Sequence, residues 1–108
     1  MYKDDPGVYQ IRCKINNKIY IGSSMRIKER WSRHRTNLRS GYHSNKVWQA
    51  DWNEYGEENF EFSVLERCPI EKLHAYEQKY LDELQPFLDN EKGYNKLHYT
   101  TFGKNQTL

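Results

Sequence analysis

Residues 7–22 read Gly7-Val-Tyr-Gln-Ile-Arg-Cys-Lys-Ile-Asn-Asn-Lys-Ile-Tyr-Ile-Gly22. Two short runs rich in Val, Ile and Tyr flank Asn16-Asn17, and β-branched and aromatic residues around an Asn-Asn pair that tolerates positive φ predict a β-hairpin. Alternation along the first run puts Tyr9, Ile11 and Cys13 on one face of the pleat and Val8, Gln10 and Arg12 on the other. Tyr20 is then expected near Tyr9 across the hairpin. Gly22 has no side chain and is expected to leave room for the close approach of a ligand backbone.

Before the hairpin, Met1 to Pro6 is a polar lead-in. After it, Ser23 or Ser24 is suited to cap a helix over about Met25 to Ser40. At 100° per residue Ile27, Trp31 and Leu38 form one stripe of that helix, and Arg30 and His34 fall within the same arc. A purely structural helix has no need of an arginine and a histidine four residues apart on its apolar stripe, and the two can converge on one anion. Lys28, Arg35 and Arg39 lie on another flank, suited to phosphate contact and equally to solvation; as phosphate contacts they would position DNA rather than read it. Gly41 to Asn45 is a turn, with His43 expected to be exposed and within reach of a phosphate. Ser44 or Asn45 can cap a second helix over Lys46 to Tyr55, whose Trp48, Trp52 and Tyr55 are expected in the core and which Gly56 stops.

Asn59 to Cys68 is the clearest remaining strand. Paired antiparallel with the hairpin, it gives an α/β (α+β sandwich) fold, a three-stranded antiparallel sheet flanked by about three helices. The third helix is expected to open at Pro69-Ile70-Glu71 and to run to about Leu84. Its apolar stripe of Leu73, Tyr76, Tyr80 and Leu84 encloses Glu77. A carboxylate inside a core face is costly unless a cation or hydrogen bonds receive it, so Glu77 asks for a partner. Gly93-Tyr94-Asn95 is a further turn that delivers a side-chain amide. The boundaries expected are residues 1–97 for the domain and 98–108 for a polar tail that begins a linker.

A chain of 108 residues holds one modest core, and with a mean hydropathy of −1.11 that core must lean on its 16 aromatics. The net charge of +2 conceals a split: residues 1–50 carry eleven Lys or Arg against three acids, residues 51–108 six against twelve. The basic half can attract a polyanion. Cys13 and Cys68 have no CxxC spacing and no paired His, which argues against zinc and for two reduced thiols at strand positions. No apolar run approaches a membrane span and no signal-peptide core is present, so a soluble, cytoplasmic protein without a membrane partner is expected.

Gly7-Val8-Tyr9, a ten-residue spacer and Tyr20-Ile21-Gly22 resemble the signature of the GIY-YIG nucleases, metal-dependent enzymes that cut DNA phosphodiesters. The resemblance extends to Asn95: Arg30 and His34 stand where the family carries an Arg and a His on its first helix, Glu77 where it carries a metal-binding Glu, and Asn95 where an Asn follows Gly-Tyr. Val8 in place of Ile is a conservative strand change. Thr101-Phe102-Gly103 is similar to the segment that leaves the nuclease domain in phage-type homing endonucleases, which implies a phage or mobile-element gene.

The resemblance implies a metal-dependent DNA endonuclease with Tyr9, Tyr20, Arg30, His34, Glu77 and Asn95 as catalytic residues. Glu77 would hold Mg²⁺ or Mn²⁺, since a hard cation completed by waters and phosphate oxygens suits one carboxylate better than a Cys/His cluster. Arg30 would clamp a nonbridging oxygen as charge grows on the phosphate. The family implies Tyr9 as the base, which from a pKa of about 10 needs a downward shift that a metal, Arg30 and His34 would supply; His34 competes on intrinsic pKa. Gly22, Lys28, Arg35, Arg39 and His43 complete the expected DNA contacts. The alternative is a nucleic-acid-binding module that keeps the scaffold without turnover. No recognition module is discernible, which fits either a catalytic domain of a larger protein or a small nuclease of low specificity, and cutting both strands needs a second copy or a reorientation.

Overall fold

The computed structural model describes residues 5–100. Three strands, β1 (Gly7–Cys13), β2 (Ile19–Ser24) and β3 (Phe60–Arg67), form one antiparallel sheet in the order β2-β1-β3. The hairpin closes through Asn17, whose φ of 65° uses the left-handed tolerance of asparagine. The Asn16 carboxamide accepts the Lys18 amide at 2.9 Å.

Helices α1 (Ile27–Ser40), α2 (Lys46–Tyr55) and α3 (Leu73–Leu84) cover the sheet. Ser24 does not cap α1 as expected. Its Oγ takes the Arg26 amide at 3.0 Å and donates to the Arg26 carbonyl, so the helix starts at Ile27. Asn45 does cap α2, accepting the Trp48 amide at 3.1 Å, and its own amide donates to the Tyr94 carbonyl. Pro69 introduces a short 3₁₀ turn over Ile70–Lys72, and α3 proper begins at Leu73.

The period-2 alternation of β1 divides the core in two. Tyr9, Ile11 and Cys13 pack with Ile27, Leu38, Trp48, Trp52, Phe60 and Tyr94 beneath α1 and α2. Val8 and Ile21 pack with Leu81 and Phe87 beneath α3. On α3 the buried positions are Leu73 and Leu81, which with Glu77 between them lie at i, i+4 and i+8; Leu84 is exposed, because the helix ends at Gln85 in a left-handed turn before the chain reaches the sheet. Both cysteines are free, Cys13 within the core and Cys68 just past β3.

The outer edge of β2 is sealed by residues 92–95. Ile19 donates its amide to the Lys92 carbonyl and accepts the Tyr94 amide. Gly93 threads a gap where a Cβ would lie 2.3 Å from the Pro86 carbonyl oxygen and 2.4 Å from that of Ile19, so no side chain fits. Beyond it, His98 stacks on Phe87 at 3.8 Å, and Gln78 of α3 bonds both the His98 carbonyl and the Thr100 amide. His98 and Thr100, in the stretch expected to be a tail, thus contact Phe87 and α3, while residues 1–4 of the polar lead-in and the stretch 101–108 lie outside the described residues.

Candidate active site

Tyr9 is fully buried at the centre of the sheet, opposite Gly22 on β2. The space beside Gly22 is taken by the Tyr9 ring and not by a ligand: a Cβ there would meet Tyr9 Cζ and Oη at 2.6 Å. Tyr20, diagonal to Tyr9 on the same face, lies with its ring centre 6.4 Å away. His34 of α1 hangs over both, its Nε2 2.9 Å from Tyr9 Oη and its ring centre 5.8 Å from that of Tyr20.

On the opposite face of the sheet Ser23, in phase with Ile19 and Ile21, points toward α3 and donates a 2.6 Å hydrogen bond to Glu77 Oε1. The site thus straddles the edge strand β2. One face contributes Tyr9, Tyr20, Arg30 and His34; the other contributes Ser23 and Glu77. A cleft of about 570 Å³ runs past Tyr9, Tyr20, Arg30 and Glu77, and a second of about 390 Å³ adjoins it, sharing Tyr20, Arg30, Arg33 and Glu77.

Burial sets the protonation chemistry. Desolvation pushes the Tyr9 hydroxyl well above its ordinary value, Tyr20 and Glu77 push the same way, and the Arg30 guanidinium beside it opposes them. The downward shift expected for Tyr9 is therefore not what its protein surroundings give; burial outweighs Arg30. Tyr20 is raised to about 12, first by burial and then by Glu77. His34 is lowered to about 3, by burial and then by His43, Arg30 and Arg33. The Glu77 carboxyl is raised by burial, against the pull of Ser23 and Arg30.

Asn95 lines the second cleft with Tyr20, Arg30, His34 and Glu77. Its carboxamide receives the Ile21 amide at 2.8 Å and donates to the Ile21 carbonyl at 2.9 Å, so both halves are spent on the backbone between Tyr20 and Gly22. It holds the site strand in place.

The residues expected to contact DNA have different surroundings from those expected. His43 is buried, 5% exposed, rather than exposed as expected, because the turn folds it under α1 against His34 and Trp48, and it lines the second cleft. Arg39 is engaged by Glu57 through both oxygens of the carboxylate, and the Arg35 guanidinium lies 4.1 Å over the Phe62 ring. Neither these two nor Lys28 lines a cleft. The cations that do are Arg26, Arg30, Arg33 and Lys96. Arg33 had a legible signal, its i+3 spacing from Arg30; Ser23 had one in its phase with Ile21.

A buried tyrosine pair on a hairpin, an Arg and His from the following helix and a Glu from a helix across the sheet edge define a nuclease catalytic domain of one kind, and the family profile described as the GIY-YIG catalytic domain matches residues 5–95: the chain belongs to the GIY-YIG family. It is 38% identical over 99 residues to intron-associated endonuclease 1 of Enterobacteria phage T4, an alignment that covers 90% of this chain and 38% of that protein. The chain thus spans well under half the length of the curated relative it matches. Among solved structures, the catalytic domain of homing endonuclease I-TevI superposes with a TM-score of 0.75 at 34% identity, covering 86% of this chain and 99% of that one. A mutant form of the same domain matches with a TM-score of 0.75 at 36% identity, over 88% of this chain and 96% of that one.

Proposed function

We propose that this chain is the catalytic domain of a metal-dependent, homing-type DNA endonuclease that hydrolyses phosphodiester bonds, with residues 1–97 as the domain and residues 98–108 as a polar tail that begins a linker. The observation that carries the reading is the convergence of Tyr9, Tyr20, Arg30, His34 and Glu77 on two adjoining clefts around the β2 edge. By analogy with the T4 relative, the gene would belong to a phage or mobile element. Cutting both strands with one such site needs a second copy or a reorientation on the DNA.

The residues fit a hard divalent cation such as Mg²⁺ or Mn²⁺. No group of three or more His, Cys, Asp or Glu gathers among the described residues, which disfavours a closed zinc site. A single carboxylate, with one oxygen held by Ser23 and the rest of its lone pairs facing the cleft, suits an ion that keeps waters and binds phosphate oxygens. When bound, the cation would offset charge on the phosphate and lower the pKa of nearby hydroxyls.

The protein groups divide the remaining work. Arg30 holds a nonbridging oxygen and is present before charge develops there. Tyr9 Oη takes the proton of the attacking water, and the Arg30 cation stabilises the phenolate beside it. Tyr20 and Arg33 line the cleft over which the phosphate passes.

Supercoiled plasmid incubated with the chain in magnesium or in EDTA, beside Glu77→Ala, tests the reading. Nicked or linear product that needs both the metal and Glu77 is expected. Cleavage that survives Glu77→Ala in a folded protein would overturn the cation site, and DNA binding without nicking in any metal would make the chain a binding module instead.

A further inference from the structure

The hydrogen bonds from the α2 turn to Tyr9 have a direction. The backbone amide of Asn45 can only donate, and it lies 3.0 Å from His43 Nδ1. That nitrogen therefore carries a lone pair. His43 is buried with Lys46 and Lys96 as its charged neighbours; burial, then Lys46 and Lys96, disfavour its cation and outweigh an opposing backbone contact with Asn45, so its one proton is left on Nε2. His43 Nε2 is 2.9 Å from His34 Nδ1, which must then accept. The remaining proton of neutral His34 sits on Nε2, 2.9 Å from Tyr9 Oη.

We propose that His43 is a positioning residue: anchored by the Asn45 amide, it fixes His34 as the Nε2–H tautomer, so that Tyr9 Oη is held as an acceptor and its own proton is left to face the cleft. The Arg30 guanidinium beside Tyr9 Oη favours the phenolate. The assignment decides between the two candidate bases, because His34 then has no lone pair on the nitrogen that faces the site. When Tyr9 releases its proton to water in the cleft, the phenolate already has an N–H from His34 and the guanidinium of Arg30 beside it. The phenolate is then free to take the proton of the attacking water. His43 acts on Tyr9 through His34.

The tautomers rest on the hydrogen-bond geometry and on both histidines being neutral; their effect on rate rests on the nuclease reading. Long-range ¹H–¹⁵N NMR of the full chain at pH 7 separates the two. Both His34 and His43 are expected as neutral Nε2–H tautomers, whether or not the sample cuts DNA. His34 found as the Nδ1–H tautomer, or charged, overturns the proposal.

Two variants extend the test. His43→Leu removes the donor to His34 Nδ1. In a sample shown folded by its NMR dispersion, it is expected to give mixed His34 tautomers and to lower kcat for plasmid nicking about 100-fold, within the span of general acid–base effects, while KM moves less than about threefold. His43→Gln, whose carboxamide can accept from Asn45 and donate to His34, is expected to restore one tautomer and most of kcat. A folded His43→Leu with a single Nε2–H tautomer at His34 refutes the positioning role even if no sample cleaves. Parent kcat in that variant refutes its link to the rate.

Discussion

Gly22→Ala adds one carbon at the point where the two site tyrosines meet. Its Cβ would lie 2.6 Å from Tyr9 Cζ and Oη and 3.0 Å from Tyr20 Cε2. Unstrained carbon contacts lie at about 3.5–4.0 Å, so the tip of the Tyr9 ring must withdraw by about 1 Å. That ring is closed in on its other sides by Trp31 and by the strand beneath it. Overpacking of this kind costs about 1–3 kcal/mol, which for a domain of this size lowers Tm by roughly 5–20 °C. The catalytic consequence is larger. The Tyr9–His34 hydrogen bond of 2.9 Å leaves little slack, and a displacement of about 1 Å carries it past the roughly 3.2 Å limit of a good bond. Misplacing a catalytic group by about 1 Å costs about 100-fold in rate. Plasmid nicking and thermal melting of the same preparation measure both effects, with a nicking loss expected to outrun the stability loss. A folded Gly22→Ala protein that nicks at the parent rate would show that Tyr9 Oη is not where the chemistry needs it, and the geometric case for Tyr9 as the base would fail.

Other outcomes follow from the remaining contacts. Ser23→Ala frees Glu77 Oε1 and is expected to raise the magnesium needed for half-maximal nicking about tenfold, the usual toll for losing a group that orients a metal ligand. Asn95→Ala strips the partners from the Ile21 amide and carbonyl, and urea unfolding should report a loss of about 2–4 kcal/mol; a loss under about 0.5 kcal/mol would deny it the clamping role. His34 has a folded pKa of about 3, lowered by burial, against an unfolded value of 6.5, so the unfolded chain binds more protons between those values and stability falls as pH drops through them. Between pH 7 and pH 5 the parent should lose roughly 2 kcal/mol more than His34→Gln, and equal losses would refute the buried neutral histidine.

The hairpin, the three-stranded sheet and all three helices were legible because each carries a local signal: the Asn-Asn turn, the Asn45 cap, the tryptophan stripe of α2. The joining of Tyr9, Tyr20, Arg30, His34 and Glu77 was legible only through resemblance, since periodicity places each residue on its own element without saying which elements meet. What escaped the sequence depends on tertiary packing. His43 looked like an exposed turn histidine because its burial comes from the folding of the turn under α1. Leu84 looked like a core residue because the helical stripe carries no record of where the sheet ends. Arg39 and Arg35 were assigned to phosphates, yet Glu57 and Phe62, distant in sequence, hold them.

The clamp of Asn95 on Ile21 joins positions 74 residues apart. The hairpin that bears both tyrosines leaves the ribosome early, but the strand that seats them is fastened only when nearly the whole domain has been made. A nascent or prematurely terminated chain that ends before Asn95 carries the tyrosines, Arg30, His34 and even Glu77 without the fastening that aligns Tyr20. The fold thereby delays assembly of the site until synthesis of the domain is almost complete.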